Sequence, residues 1–268
     1  MNTAVIEISN LQLAAGLIFI VIAGGLSIFH SLRLEKDLVI GTVRTFVQLI
    51  LLGFALKFIF NIDRVWLVVL VFVVMILFAA RTIRGRVPER QVSFFWPVFF
   101  SMTAGYFLIA FMVTAVVIGV DPWWRPQYFI PLSGMVIGNS MNAMAISLER
   151  LLGDLRGRRP EIEMMLCLGA DYKEASQGIF RDAMRAGMIP SINSMMAVGV
   201  VFIPGMMTGQ ILAGADPVSA IRYQIVVMVM LVGSTAIGSF LVLSLVRRRC
   251  FGPSQQLLLK QTKRAGLH

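Results

Sequence analysis

Apolar residues in this chain run in long unbroken blocks, not at the spacing of one helix face and not in the alternation of a half-buried strand. Seven blocks stand out, at roughly 11–29, 42–60, 64–80, 94–118, 128–147, 188–213 and 223–246. A hydrocarbon layer of roughly 30 Å takes about 20 helical residues to cross, and backbone polar groups inside it must be satisfied within helices or a closed barrel. Barrel strands alternate, and these blocks do not, so the pattern predicts an all-α, polytopic integral membrane protein of about seven transmembrane helices. The third block is the shortest and the least able to cross on its length alone. Residues 1–268 are read as a single transmembrane domain.

One long polar stretch, Leu148–Gly187, interrupts the pattern, with Glu163-Met-Met-Leu-Cys-Leu-Gly169-Ala170-Asp171 inside it. The spacing predicts a short helix over 161–168, a turn at Gly169, and a second helix opened by Asp171. Glu174 stands three residues after Asp171, the separation of a capping box. Ala175, Ile179, Phe180, Ala183 and Met184 then form an apolar face leading into the next block. These residues alone leave two readings, an amphipathic hairpin on the bilayer surface or a docking element for another protein.

Composition sharpens the class. Of 268 residues, 57% are hydrophobic and 14% charged, more apolar surface than one soluble core can hide. Lys and Arg mark the cytoplasmic side: Arg33, Lys36 and Arg44 follow the first block, Arg81, Arg84, Arg86 and Arg90 the third, and the Leu148–Gly187 loop holds seven more. Opposite loops carry only Arg64, Arg125 and Arg222. An odd number of spans with this bias puts the N-terminus outside and the C-terminus in the cytoplasm. Trp66, Trp96, Trp123 and Trp124 all fall at span edges, as an interfacial belt requires. The net charge of +10 is spread over loops beside the bilayer, so anionic lipid explains it and nucleic acid is not expected as a partner. Met1–Asn10 holds Glu7 and no Lys or Arg, which argues against a cleaved signal. Cys167 and Cys250 both fall on the cytoplasmic side, so no disulfide is expected.

The inventory of chemical groups excludes several functions. None of the fourteen acidic residues lies inside a block, so an ion-driven carrier has no carboxylate at mid-membrane. Arg44 and Lys57 lie near block ends, where they can snorkel to water. No Gly is followed by Lys, so the phosphate-cradling loop G-x-x-x-x-G-K-[ST] is absent, and the chain is not expected to be an ATPase or to bind a cofactor. With His30 and His268 the only histidines, no zinc motif is present. If the protein does work, a partner supplies the energy. A secondary carrier or channel is thereby disfavoured, while a seven-helix receptor or scaffold remains possible on helix count.

Candidate path residues come from polar groups within apolar blocks. Pro204-Gly205 sits mid-block and should kink or break the sixth helix, exposing carbonyls such as that of Val200. Asn193, Ser194, Thr208 and Gln210 add oxygen atoms along that block, and Gln48 stands inside the second. Met206 and Met207, with Met195 and Met196, offer thioethers that suit soft ions, although gap filling between helices explains them equally. In the fifth block Asn139 and Asn142 share a face beside the G-x-x-x-G of Gly134 and Gly138. That surface, or the Gly233–Ser239 stretch, could build a homodimer. Asp63, Asp121 and Asp216 each stand in an outer loop, as cation attractors or as ordinary turn and helix-start residues.

Glu163, Gly169 and Ala170 resemble the E-A-A-x-x-x-G-A signature of permease subunits in ATP-binding-cassette transporters, with Met164 and Met165 in place of the alanines. Wider segments carry a stronger likeness: Ile130–Asn142, Leu168–Ala175, Arg181–Pro190 and Pro204-Gly-Met-Met-Thr-Gly-Gln210 onward to Gly214. Together they are similar to the Fet-type iron-export permease family, which includes plant aluminium-tolerance permeases. The resemblance implies a permease paired with a separate ATPase subunit that hydrolyses ATP, a metal ion as substrate, and export across the bacterial cytoplasmic membrane. It assigns ATPase coupling to Glu163, Gly169, Ala170, Asp171 and Glu174.

Overall fold

The computed structural model describes residues 9–62, 64–87 and 92–259. Asp63, Arg90, His268 and the N-terminal arm before Ser9 lie outside the described residues. Every regular element described is a helix. Among the described residues six helical stretches are long and apolar enough to cross a membrane: Leu11–Phe29, Glu35–Asn61, Val65–Arg86, Phe95–Val117, Pro126–Gly157 and Pro217–Cys250. The third block is therefore a full-length helix of 22 residues, about 33 Å at helical rise.

The sixth block differs from expectation. Residues 188–213 are not one kinked helix, because helical order stops at Ala197 and resumes at Gly205. The helix before the stop starts at Gln177, inside the polar stretch. Pro190 lies within it without ending it. The break thus precedes Pro204, which sits at the start of the next helix and not in the middle of a span.

Close packing groups the chain into two units. The first comprises the described residues up to Ile62 together with Gly209–Ala215. Here α1 (Asn10–Ala15) and α2 (Ile18–Phe29) precede the long α3 (Glu35–Ile62). The turn between α2 and α3 is fixed by buried Ser27, whose hydroxyl donates to Glu35 Oε1 at 2.8 Å and accepts from the Leu34 amide at 3.0 Å. Ser31 and Arg33 adopt positive φ there. The most apolar 18-residue stretch of α3 contains no buried residue, as expected of a helix that is apolar all round and faces lipid or another chain.

The second unit is a bundle of α4 (Val65–Arg86), α5 (Phe95–Phe111, continued by a π-helical turn, Met112–Val117), α6 (Pro126–Gly157), α9 (Gln177–Ala197) and α11 (Pro217–Cys250). Short α7 (Arg159–Cys167) and α8 (Tyr172–Ala175) link α6 to α9, and α10 (Gly205–Leu212) follows the break. Buried positions on α4, Val68, Phe72, Ile76, Ala80 and Ile83, recur at helical spacing and form one inward stripe. Small polar side chains stitch the interior, with Ser140 against Ser234 and Ser191 against Thr235, both at 3.3 Å. The Ser191–Thr235 pair, with Phe180 against Phe240 and Arg247 beside Gln177, runs α9 antiparallel to α11. At Gly187 α9 lies close against α6: a Cβ there would overlap Ser147 Oγ and come within 2.7 Å of the Ala143 carbonyl oxygen. Trp123 does more than mark an edge, since its ring packs on Phe107, Phe111 and Phe129 at 5.3–5.9 Å.

Candidate functional site

The polar interruption folds as helix, turn, helix. α7 ends in a Schellman arrangement: the Gly169 amide donates to the Leu166 carbonyl and the Ala170 amide to the Met165 carbonyl, each at 3.1 Å, with Gly169 at φ +97°. Asp171 then caps α8, accepting from the Glu174 amide at 2.7 Å while Glu174 Oε2 accepts from the Asp171 amide at 3.0 Å. The capping box is as the spacing predicts. The second helix pauses at Ser176 before continuing as α9, whose Ile179, Phe180 and Ala183 are buried with Ala175.

Large apolar side chains face outward beside charged ones. Leu168 is 81% exposed and Met164 61% exposed, and both stand next to the turn. Glu163 is exposed too, and its Oε1 accepts from Arg159 Nε at 2.6 Å. Arg158 donates to Glu161 at 2.8 Å, and that hydrogen bond, then the charge of the carboxylate, raises the Arg158 pKa above the ordinary guanidinium value.

A third segment joins this pair. After α11 the chain turns back as a small hairpin, with Phe251 bridged to Leu257 and the Leu258 amide donating to the Cys250 carbonyl at 2.8 Å. Gln255 Oε1 accepts from the Tyr172 amide at 2.9 Å, and Arg159 Nη1 donates to the Leu259 carbonyl at 2.8 Å. The Tyr172 and Phe251 rings lie 5.5 Å apart. Sequence reasoning ends the last helix at 246 and misses this hairpin. The Gly252-Pro253 pair after Arg247–Arg249 is the signal that marks a turn there.

The break at 198–204 is closed by backbone alone. The Val201 amide donates to the Ala197 carbonyl at 2.8 Å and the Gly199 amide to the Phe202 carbonyl at 2.9 Å, with Gly199 at φ +83°. A cavity of about 390 Å³ lies beside it, between the break and the first turns of α11. Met195, Pro204, Met207, Gln224 and Met228 stand in its wall. Gln224 is 7% exposed and its Oε1 accepts no hydrogen bond. A lone amide in the apolar run 223–246 was the signal for this residue, and sequence reasoning passed it over.

Of the sequence-derived candidates, Pro204, Met207 and the thioether of Met195 line that cavity. Asn193 and Ser194 are exposed on α9. Asn139 and Asn142 are exposed on α6; Asn139 Nδ2 donates to its own helix at the Met135 carbonyl, and Asn142 Oδ1 accepts from Arg86 at 2.5 Å. Thr208 Oγ1 donates to the Pro204 carbonyl at 3.2 Å, and Met206 is half-buried beside it. Gln210 and Gln48 belong to the first unit, where Gln210 Oε1 is buried without a hydrogen-bond partner and Gln48 is exposed. Gly134 of the G-x-x-x-G packs on Met75, whereas nothing approaches Gly138. Asp216 caps α11 by accepting from Ser219, which is the helix-start role. Among the described residues no three His, Cys, Asp or Glu side chains gather in a way that could hold a metal ion.

Against known families, the chain matches the model of the Uncharacterised protein family (UPF0014) over residues 10–251. It belongs to that family. Its relatives include the UPF0014 membrane protein YjkA of Bacillus subtilis, 36% identical over 92% of this chain and 97% of the relative. The probable iron export permease protein FetB of Escherichia coli is 34% identical over 96% and 98%, respectively. The protein ALUMINUM SENSITIVE 3 of Arabidopsis thaliana is 33% identical over 84% of this chain and 81% of the plant protein. No solved structure matches the chain. The chain thus belongs to a family of membrane proteins, and the expected likeness to iron-export and aluminium-sensitivity proteins is borne out.

Proposed function

We propose that the chain is the membrane-spanning subunit of an ATP-binding-cassette transporter, and that a separate ATPase subunit docks on the α7–α8 turn. The observation that carries this reading is the apolar tip of Met164 and Leu168, solvent-facing within the most polar stretch of the chain. Exposed apolar side chains on a rigid, doubly capped turn suit insertion into a groove of a partner protein. ATP binding and hydrolysis belong to that partner. The N-terminus lies outside and the turn in the cytoplasm, following the distribution of Lys and Arg. Two copies pair with two ATPase subunits in the bacterial cytoplasmic membrane.

The transported species is iron or a related metal ion, by analogy with the relative named a probable iron export permease. The path runs along the break at 198–204, where Pro204, Met206, Met207 and Thr208 start α10. Irregular backbone within an apolar stretch is tolerated where it borders protein or a wet cavity, and transporters place substrate sites at such discontinuities.

Gly169→Pro with Ala170→Asp tests the coupling role. Proline cannot adopt φ +97° and removes the amide that closes the turn, and the aspartate places a charge at the tip. ATP-dependent flux of ferrous iron, measured in sealed vesicles against competing ions, should vanish while the protein still inserts. Unchanged flux refutes the docking role.

A further inference from the structure

The docking turn has an attachment that its position in the chain does not supply. α7 and α8 are covalently continuous with α6 and α9, yet the C-terminal hairpin comes from α11, about 80 residues later, and grips them at both ends. We propose that residues 251–259 form a clasp that positions the ATPase-docking turn and makes α11 a path by which docking is felt in the bundle. This inference rests on the docking reading of the α7–α8 turn.

Three contacts build the clasp. Tyr172 is the first residue of α8, so its amide has no acceptor within the helix, and Gln255 Oε1 takes it at 2.9 Å. At the start of α7, one guanidinium joins docking helix to tail, because Arg159 Nε donates to Glu163 Oε1 at 2.6 Å while its Nη1 donates to the Leu259 carbonyl at 2.8 Å. Phe251 packs its ring near that of Tyr172. Phe251, Leu257 and Leu259 are buried, which anchors the hairpin by apolar area as well as by hydrogen bonds. The hairpin carries its own turn, in which the Gln255 amide donates to the Gly252 carbonyl at 2.9 Å and Gln255 takes φ +62°. A residue held in that conformation, with its side chain spent on a distant backbone amide, is a positioning residue.

The helix behind the clasp reaches the cavity. α11 is unbroken from Pro217 to Cys250, and Gln224 near its start stands in the cavity wall. From Gln224 to Cys250 the rise is about 39 Å, so a single rigid element has the clasp at one end and the candidate path at the other. A surface tail of no consequence would need neither the buried leucines nor the two side-chain bonds to α7 and α8.

The experiment uses the full chain in lipid nanodiscs with the ATPase subunit, and reads two quantities: ATPase subunit retained per permease, and ATP hydrolysis per retained subunit with ferrous iron present or absent. Gln255→Ala and Phe251→Ala should retain the ATPase subunit yet lose permease-dependent acceleration of hydrolysis by about fivefold, the scale of one net hydrogen bond of coupling. Gln255→Glu keeps an acceptor oxygen and should restore it, a rescue that loss of fold would not show. Retention with unchanged acceleration in both alanine variants overturns the clasp. Equal loss in Gln255→Ala and Gln255→Glu overturns it too. Failure of the unaltered chain to retain an ATPase subunit instead overturns the docking reading on which the clasp depends.

Discussion

Two interruptions of helical order, one at Gly169 and one at Gly199, use the same device and satisfy it by different means. Each places a glycine at positive φ, +97° and +83°, and α8 and α9 run between them. At Gly169 the turn closes on backbone bonds to Leu166 and Met165, and side chains satisfy the groups that flank it: the Asp171–Glu174 capping box, the Arg159–Glu163 pair and the Gln255 amide oxygen. At Gly199 the loop is closed by backbone bonds to Ala197 and Phe202, and the residues around it are apolar, with Val200 90% exposed. A turn in water can spend charged side chains on its termini and keep an apolar tip for a partner. A turn inside an apolar stretch must close on itself, because each unsatisfied backbone group there costs several kcal/mol. The first arrangement suits recognition and the second suits a path.

The comparison breaks hardest at Gly187, on the helix that separates the two turns. Gly187→Val forces a side chain into Ser147 and the Ala143 carbonyl, and should cost about 3 kcal/mol of stability, read as a fall in the unfolding midpoint in detergent. A change under about 0.5 kcal/mol would mean α9 is not seated against α6. Next in size, the same substitution at each turn separates their roles. Gly169→Val and Gly199→Val each carry about 1–2 kcal/mol of backbone strain, but the first should lower ATPase-subunit retention and the second should lower iron flux with retention intact. Identical phenotypes would erase the distinction.

A smaller effect of opposite sign is expected at Gln224. Gln224→Leu removes a buried oxygen that accepts no hydrogen bond, so thermal stability should rise by about 1 kcal/mol while flux falls. A fall in stability would show that the amide is satisfied in the working protein. Smallest is Glu163→Gln. It weakens a part-exposed i,i+4 pair with Arg159 and should cost no more than about 0.5 kcal/mol, leaving docking to the apolar tip. Loss of ATPase retention in that variant would move the recognition from Met164 and Leu168 to the carboxylate.

The α7–α8 turn was legible because its determinants are local. Capping-box spacing, a glycine after a short helix and the apolar positions of Ala175, Ile179, Phe180 and Ala183 all act within one or two turns of chain. The break was half legible. Pro204 signals that a helix cannot pass, but the stop comes at Ala197, seven residues earlier, where no proline or charge marks it. Among the polar residues within apolar blocks, Asn139 bonds its own helix and Asn142 accepts from Arg86, while Gln224, in the cavity wall, lies within an apolar run that hid it. The polarity of a residue says that it needs a partner, not which one it finds.

By itself the sequence determined the class of this protein, because long apolar blocks have few stable alternatives to membrane-crossing helices, and it determined the shape of the α7–α8 turn, whose hydrogen bonds are nearly all within three to five residues. Only the tertiary structure decided where the sixth block breaks, which faces of α6, α9 and α11 meet, and that Gln255 and Leu259 close on Tyr172 and Arg159. The helix and hairpin pairings among them join residues 44 to 100 apart. Such contacts are chosen by the fit of whole helices, and no short window of sequence holds both partners.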